Sequence, residues 1–444
     1  MPAPKKETIR NRNMATAAPK PAAMTLAQIR ARNRAGLGVG APAAAPPDSI
    51  FRNVKRGSDL TLLTFTISPT HVSYANTLRR AMITEVETVA FRSKIKEEDG
   101  STSDVKILKN STPMSNEMLA HRIGLLPVHV TDPLNWNPDA YTFTLNIQND
   151  SSDPRDVVAG DIEVHQARGA EEEPLKVPSV QFFHPDSVTQ DTTLLAVLKG
   201  RLGSQEAESL SFTAQATLGT GREHAAFMPV TSRCAYGYTL DDDPDRKKEV
   251  FARWVQTHKM MDASMLEANP GKKEELEREF KTMEVQRVFK VDERGEPYSF
   301  DFIVESVGVL DPVYVVARAI DILAAKLLRY ASIDAGDLPE GLKVLPADAR
   351  MKGFDFFFEG EDHTLGNLLQ TYMEQNQVDT EQITFAGYKV PHPLRDEMVL
   401  RVGVSSGLVA DARGAVAVAA RQCAQMFKTW AAMWAGSAPA AVKL

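Results

Sequence analysis

Hydrophobic and polar residues alternate in short runs along the chain, and a period of two predicts half-buried β-strands. The first such run places Leu63, Phe65 and Ile67 between threonines. A helix is predicted over residues 70–83, soon after this strand. Further elements predicted in this region are strands over 89–95 and 105–108 and a short helix over 116–122, with Gly124 just past it as a stop signal.

Two long stretches have the 3.6-residue apolar spacing of an amphipathic helix. The first begins at Asp311-Pro312, since aspartate can cap free amides and proline is tolerated at the first helical position. The second is an alanine-rich helix over 407–434. Neither helix can bury its wide apolar stripe alone, so we predict that the two stripes pack together. The predicted seam residues are Val316, Ile320, Leu323, Leu327, Val416, Cys423, Phe427 and Trp430.

The same order of elements occurs twice: a strand, a helix, further strands and a long amphipathic helix. This repetition predicts an α+β protein with two related units packed as a pseudo-symmetric pair. We divide the chain into a first unit formed by 51–127 and 284–335, an inserted mostly β domain at 128–240, a charged helical arm at 241–283, a linker at 336–350 and a second unit at 351–436.

Composition agrees with a folded protein: of 444 residues, 43% are hydrophobic and 25% are charged, with a net charge of −7. Only Cys234 and Cys423 are present, which excludes a disulfide framework and a four-cysteine zinc site within this chain. No apolar run is long enough for a spanning helix, and no apolar segment follows Lys5 and Lys6 as in a secretory signal. We therefore expect an intracellular protein.

The first 48 residues differ from the rest because they are rich in alanine and proline and carry eight basic residues against two acidic ones. Such a segment buries little apolar surface and is predicted to be disordered. Three interpretations remain open: a solvated tail that touches nucleic acid or an acidic partner, an inert tail, or an organelle transit peptide.

Several motifs resemble one family. Residues 75–82 (ANTLRRAM) are similar to the first-helix motif of the alpha-like subunit of multisubunit RNA polymerases, the D-type or third-largest subunit in archaeal and eukaryotic enzymes. Residues 110–128, 221–230 and 302–308 are similar to other stretches of that subunit. Residues 360–369 and 385–394 resemble its small L-type partner. Both partners in one chain resemble the fused subunit of large DNA viruses that infect eukaryotes.

The resemblance implies that the chain is a non-catalytic assembly platform with no cofactor. It implies binding to the second-largest and largest polymerase subunits, small zinc-containing subunits nearby, contact with DNA only through the complex, and no membrane association. If the chain is viral, its location would be the cytoplasmic viral factory, the virion or both; otherwise it would be the nucleus.

The family motifs supply the candidate partner-binding residues. Arg79 and Arg80 are hypothesised to face the second-largest subunit, because arginine can hold carboxylates or carbonyls bidentately. Gly366 inside a helix costs about 1 kcal/mol relative to alanine, which suggests that another backbone approaches closely. The full set is Asn76, Leu78, Arg79, Arg80, Glu117, His121, Arg122, Gly124, His363, Gly366, Asn367, Pro391, His392 and Pro393.

Other chemistry has weaker support. Glu117 and His121 have metal-ligand spacing but no evident third ligand, and a structural hydrogen bond is the preferred interpretation. His363 and His392 lack an activated nucleophile. We therefore expect no metal and no catalytic residues. Two alternatives from other classes remain: a stand-alone nucleic-acid-binding protein acting through the basic tail, and a small-molecule enzyme.

Overall fold

The computed structural model describes residues 49–58, 60–93, 104–168, 173–261, 265, 269–348, 351–378 and 382–440. The predicted basic tail, 1–48, lies outside the described residues. The structure combines β-sheets with α-helices, which confirms the predicted α+β class.

The helices and strands have these bounds. The α-helices are α1 (Val72–Thr84), α2 (Asn116–Gly124), α3 (Pro244–His258), α4 (Pro270–Glu279), α5 (Pro312–Leu328), α6 (His363–Asn376) and α7 (Val409–Ser437). The strands are β1 (Phe51–Arg56), β2 (Leu62–Ile67), β3 (Glu87–Ala90), β4 (Val105–Asn110), β5 (Tyr141–Gln148), β6 (Arg155–Val158), β7 (Glu163–Gln166), β8 (Leu175–Val177), β9 (Leu194–Leu198), β10 (Ser209–Ala214), β11 (Thr217–Thr220), β12 (Ala235–Tyr238), β13 (Phe300–Glu305), β14 (Leu342–Pro346), β15 (Gly353–Glu359), β16 (Ile383–Lys389) and β17 (Glu397–Val404).

The two units have the same antiparallel sheet. The strand order is β1-β2-β13-β12 in the first unit and β14-β15-β17-β16 in the second. The first hairpin of each sheet is paired alike at its open end, where Phe51 lies opposite Ile67 and Leu342 lies opposite Phe358. The hairpin of the first unit differs by a β-bulge between Arg52 and Lys55. In each unit a helix follows the second strand, and a long helix follows the third strand of the sheet.

This correspondence corrects the predicted linker at 336–350. Residues 342–346 form β14, the edge strand that takes the place of β1 in the second sheet. The proline- and glycine-containing sequence suggested a connection, but an edge strand tolerates proline because one side of it needs no donor. Pro346 ends β14 opposite Phe354.

The predicted limits of the inserted domain also change. Strand β4 and helix α2 were assigned to the first unit, yet β4 joins the sheet β4-β10-β5-β7-β8, and Leu119 and Ile123 of α2 are buried in the core of that domain. Conversely, β11 pairs with β3, and β12 is the fourth strand of the first sheet. Tertiary pairing, which the spacing of strands cannot reveal, decides these boundaries.

The arm at 241–283 is helical, as predicted, and contains α3 and α4. It has a small core of its own in which Trp254, Val255, Leu276 and Phe280 are buried together with Val288. The arm therefore buries apolar side chains between its own helices and is not simply a solvated surface. In the second unit the same connection, between β16 and β17, is the short loop 390–396.

The two units meet at two pairs of helices, α5 against α7 and α1 against α6. All eight predicted seam residues are buried. At the end of α7, the ring of Trp434 lies 5.0 Å from that of Phe51 and 5.1 Å from that of Phe65. The long helix of the second unit thus helps to cover the sheet of the first. Each large apolar side chain buried in this way is worth about 1.5–3 kcal/mol.

Within the described ranges, every helix is too short or too polar to cross a lipid bilayer.

Candidate functional site

Helices α1 and α6 run antiparallel across the seam and exchange hydrogen bonds through their polar residues. The Thr371 hydroxyl donates to the Ser73 hydroxyl at 2.9 Å, and Asn367 Nδ2 donates to the same oxygen at 3.2 Å. The Tyr74 hydroxyl donates to Gln375 Oε1 at 3.2 Å. Because these groups are shielded from water, each bond fixes how one unit is seated on the other.

Arg80 makes the charged contact at the other end of this helix pair. Its Nη2 lies 2.7 Å from Asp362 Oδ2, and its Nε donates to the Thr364 hydroxyl at 2.7 Å. Asp362 also caps α6, because its Oδ1 accepts from the Thr364 amide at 2.7 Å. Burial raises the pKa of Asp362, but the bonds from Thr364 and the Arg80 charge outweigh burial and hold that pKa below its usual value.

This placement corrects part of the hypothesis about the two arginines. Arg80 joins the two units of its own chain, with its Nε and Nη2 both engaged across the seam. Arg79 points elsewhere and donates through Nε to Asn76 Oδ1 of its own helix at 3.0 Å. The sequence could not distinguish the roles of Arg79 and Arg80, because Asp362, whose carboxylate Arg80 contacts, lies nearly three hundred positions further along the chain.

A second charged group lies deeper in the seam. Lys326 of α5 places its Nζ 2.9 Å from Glu85 and 3.2 Å from Glu361, and the Tyr330 hydroxyl donates to Glu361 at 3.3 Å. Burial lowers the pKa of Lys326, but the two carboxylates outweigh burial and the net pKa is raised. Burial raises the pKa of Glu361 despite the lysine. The lysine therefore neutralises two acids contributed by different units.

An open cleft of about 720 Å³ lies beside these ion pairs. At its rim Arg222 Nη2 is 2.6 Å from Asp396 Oδ1, which again joins the two units. The cleft is composite, since both units supply its lining. The lining residues are Thr220, Arg222, Glu223, Glu361, Asp362, His363, Val390, Pro393, Leu394, Arg395 and Asp396.

Four predicted partner-binding residues lie at or next to this cleft and are exposed: His363, Pro391, His392 and Pro393. His363 Nδ1 is 3.3 Å from the Tyr388 hydroxyl. The three-residue Pro-His-Pro segment lies in the loop between β16 and β17. Its two prolines have no N–H groups, so they need no hydrogen-bond acceptors from the rest of the chain. These side chains are free to contact another protein.

A separate exposed group lies on α2. Glu117, His121 and Arg122 face solvent, and Arg122 Nη2 donates to the Leu194 carbonyl at 3.1 Å. The fold adds a neighbour that the sequence did not reveal, since the His224 ring is 6.0 Å from the His121 ring. His224 Nδ1 accepts from the Ala226 amide at 3.1 Å, so in the neutral ring Nε2 carries the proton and has no lone pair for a metal.

Three predicted partner-binding residues are wrong because they are buried in their own chain. Leu78 is 0% exposed. Gly124 is the last residue of α2, and a Cβ there would be 3.0 Å from the Phe91 carbonyl oxygen. A Cβ at Gly366 would be 2.4 Å from the Tyr388 ring, so the close neighbour is a side chain and not another backbone. Asn367 is half-buried and, as described above, bonded across the seam.

The protonation state of the two cysteine thiols follows from their burial. Burial raises the pKa of Cys234 to about 12 and raises that of Cys423 as well. Both therefore remain protonated at neutral pH, whereas metal binding needs the thiolate. In the part of the chain that the structure describes, no group of three or more His, Cys, Asp or Glu side chains is placed to hold a metal ion.

Sequence reasoning missed most of the ion-pair network, namely Glu85, Arg222, Lys326, Glu361, Asp362 and Asp396. Three of these six lie within the motif stretches that carry the family resemblance, and Glu85 and Asp396 lie two or three residues beyond such a stretch, so the motifs offered a signal. Lys326 gave no such signal. It lies off the apolar stripe of α5, but that position suits a solvated lysine equally well.

Comparisons with known proteins agree with this architecture. Residues 64–164 and residues 354–431 each match the RNA polymerase Rpb3/Rpb11 dimerisation domain. The chain therefore contains two such domains, with an inserted region in the first unit.

Several of the similar relatives are RNA polymerase subunits. The DNA-directed RNA polymerase subunit Rpo3 of Thermoplasma volcanium is 28% identical over 46% of this chain and 69% of its own. The Rpo3 subunit of Methanopyrus kandleri is 32% identical over 44% of this chain and 62% of its own. The DNA-directed RNA polymerase II subunit RPB3 of Schizosaccharomyces pombe is 26% identical over 62% of this chain and 84% of its own. These findings support an alpha-like RNA polymerase subunit.

Proposed function

We propose that this chain is a non-catalytic assembly subunit of a multisubunit DNA-directed RNA polymerase. The observation that carries the proposal is that one chain holds two dimerisation domains whose long helices, α5 and α7, bury their apolar stripes against each other. The polar and charged groups at the seam join the two units to each other. In this proposal the first unit acts as the D-type subunit and the second as its L-type partner.

Fusion of the two partners gives a platform of fixed composition. Linking them makes their association intramolecular, with an effective concentration in the millimolar range for a short linker. The pair therefore would not dissociate on dilution. The arrangement resembles the fused subunit of large DNA viruses, which would place the protein in cytoplasmic viral factories or virions; in a cellular polymerase the location would be the nucleus.

The exposed candidates indicate where partners would bind. We assign the surface formed by Glu117, His121 and Arg122, and the loop Pro391–Pro393 beside His363, to contacts with the second-largest and largest subunits. Small zinc-containing subunits would bind nearby, and DNA would be contacted only through the complex.

An affinity purification of the tagged full chain, with mass spectrometry of the bound proteins, tests the proposal. We expect the two large subunits to co-purify. The triple variant Glu117→Ala, His121→Ala, Arg122→Ala should lose them while melting at the wild-type temperature. A matched control is the triple variant Lys272→Ala, Glu275→Ala, Arg278→Ala on the exposed side of α4, which should retain them.

Two results would contradict the proposal. Recovery of the chain without polymerase subunits, together with salt-sensitive DNA binding, would favour the stand-alone nucleic-acid-binding protein. Nucleotide polymerisation by the isolated chain would disprove the non-catalytic role.

A further inference from the structure

The inserted domain is joined to the first unit by two neighbouring connections. The chain leaves the first unit after β3 and returns at β11, and these two strands pair with each other. The far end of this ribbon is fixed to the first unit, because Arg318 of α5 donates to both carboxylate oxygens of Glu87, at 2.8 and 3.0 Å. We call the crossing formed by residues 90–92 and 215–218 the neck.

Arg92 spans the neck and uses all three of its guanidinium nitrogens. Its Nε and Nη2 donate to the two carboxylate oxygens of Glu223, at 2.6 and 2.9 Å. Nη2 also donates to the Leu218 carbonyl at 2.7 Å, and Nη1 donates to the Thr217 hydroxyl. A planar fork of this kind fixes direction as well as distance, which the point charge of a lysine does not.

Asp104 completes this group from the side of the inserted domain. It lies directly before β4, and its Oδ2 accepts from the Arg92 amide at 2.8 Å and from the Thr217 hydroxyl at 2.5 Å. The side chains of Arg92 and Asp104 are only 25% and 11% exposed. Three segments are therefore held by one residue: the one that enters the inserted domain, the one that begins its sheet and the one that leaves it.

Glu223 connects the neck to both proposed partner-contact surfaces, because its two neighbours in the sequence reach different parts of the molecule. Arg222 bonds to Asp396 of the second unit at the rim of the cleft, and Glu223 itself lines the cleft. His224 lies against His121 of α2, with ring centroids 6.0 Å apart. Three consecutive residues therefore contact the second unit, the neck and the inserted domain.

The spacing between the two surfaces depends on the neck. The α2 surface, formed by Glu117, His121 and Arg122, belongs to the inserted domain, because the buried side of α2 lies in the core of that domain. The cleft is lined by the first and second units. An orientation set at the neck therefore determines how these two surfaces are presented to a partner.

We infer that Arg92 is a positioning residue, which holds the inserted domain so that the assembled polymerase contacts the α2 surface and the cleft at the same time. The inference rests on the proposed function, because it takes both surfaces as partner contacts. An assembly that engages two surfaces together binds more tightly than through either surface alone, and it loses that gain when the spacing is wrong.

Double electron–electron resonance on the full chain tests the orientation. Spin labels are attached through Lys109→Cys on β4 and Lys428→Cys on α7, both at exposed positions. The two native cysteines are buried and protonated, so they do not compete for the label. Arg92→Met should shift or broaden the distance distribution, because it removes the guanidinium. A reference pair, Lys55→Cys on β1 with Lys428→Cys, should not change.

Two further variants make the test specific. Arg155→Met, at an exposed arginine of β6 in the same domain, is the matched control and should leave both distributions as in the wild type. Arg92→Lys keeps a charge beside Glu223 without the fork, so its distribution should lie between those of the wild type and Arg92→Met. In the affinity purification, Arg92→Met should recover the large subunits about tenfold less well than Arg155→Met.

The outcomes are distinguishable. A folded Arg92→Met chain with the wild-type distribution, or with equal changes in both label pairs, overturns the positioning role. If Arg92→Met does not fold, Arg92→Lys decides, since a wild-type distribution there means that charge alone suffices. A changed distribution with undiminished recovery of the large subunits also overturns the inference, while the proposed function stands. If the wild-type chain recovers no polymerase subunit, both are overturned.

Discussion

The contact between Arg80 and Asp362 should stabilise the pairing of the two units by a measurable amount. Arg80 donates to Asp362 and to Thr364, both at 2.7 Å, and both charged side chains are 31% exposed. A fully buried charged hydrogen bond is worth about 1.5–3 kcal/mol, whereas an exposed pair is worth about 0–1 kcal/mol. For this half-buried geometry we expect Arg80→Ala to lower the free energy of unfolding by about 1–2 kcal/mol.

The assay is thermal unfolding of the full chain followed by circular dichroism. For a cooperative region of about 150–250 residues, this loss corresponds to a fall of about 2–8 °C in melting temperature. Arg79→Ala is the matched control, because the side chain of this neighbouring arginine bonds to Asn76 of its own helix. Its loss should change stability by less than about 0.5 kcal/mol.

A double-mutant cycle isolates the ion pair from the helix cap. Asp362→Asn keeps an oxygen that can accept from the Thr364 amide, so it removes the charge and preserves the cap. The losses of Arg80→Ala and Asp362→Asn should not add, with a coupling of about 0.5–1.5 kcal/mol. Full additivity, or equal effects of the Arg79 and Arg80 substitutions, would refute this assignment.

Three further predictions concern the same seam. Lys326→Met leaves two acids facing each other and should cost about 3–5 kcal/mol in urea unfolding at pH 7; a loss no greater than that of an exposed lysine would contradict the network. Gly366→Ala should cost about 1–3 kcal/mol through its clash with the Tyr388 ring, and Tyr388→Ala in the same chain should relieve that clash, so the two losses should be less than additive. Because the pKa of Asp362 is lowered on folding, its stabilisation is fully present above its unfolded pKa of about 3.9 and is lost as pH falls through its lower folded pKa. The defect of Arg80→Ala should therefore shrink as the pH is lowered below about 4, and a defect that stays constant there would argue against an ionic contact.

Local elements were predictable because their signals lie within a few residues of each other. Asp311 caps α5 as expected, with Oδ1 accepting from the Val313 amide at 2.8 Å. Asp362 caps α6 in the same local way, with Oδ1 accepting from the Thr364 amide at 2.7 Å. The repeated order of elements was enough to predict two related units, because period and capping depend only on neighbouring positions.

Contacts between distant segments were not predictable in the same way. Residues 342–346 have the composition of a connection, and only pairing with β15 makes them a strand. Arg79 and Arg80 are adjacent and chemically identical, yet only Arg80 meets Asp362.

The sequence by itself determined the helices, several of the strands, their order and the two-unit plan, since these follow from backbone conformation and hydrophobic spacing over short distances. The tertiary structure alone decided which strands belong to which sheet and which charges are neutralised at the seam. The reason is that ion pairs, burial and sheet edges depend on which distant segments come together, and a residue type does not specify its distant neighbour.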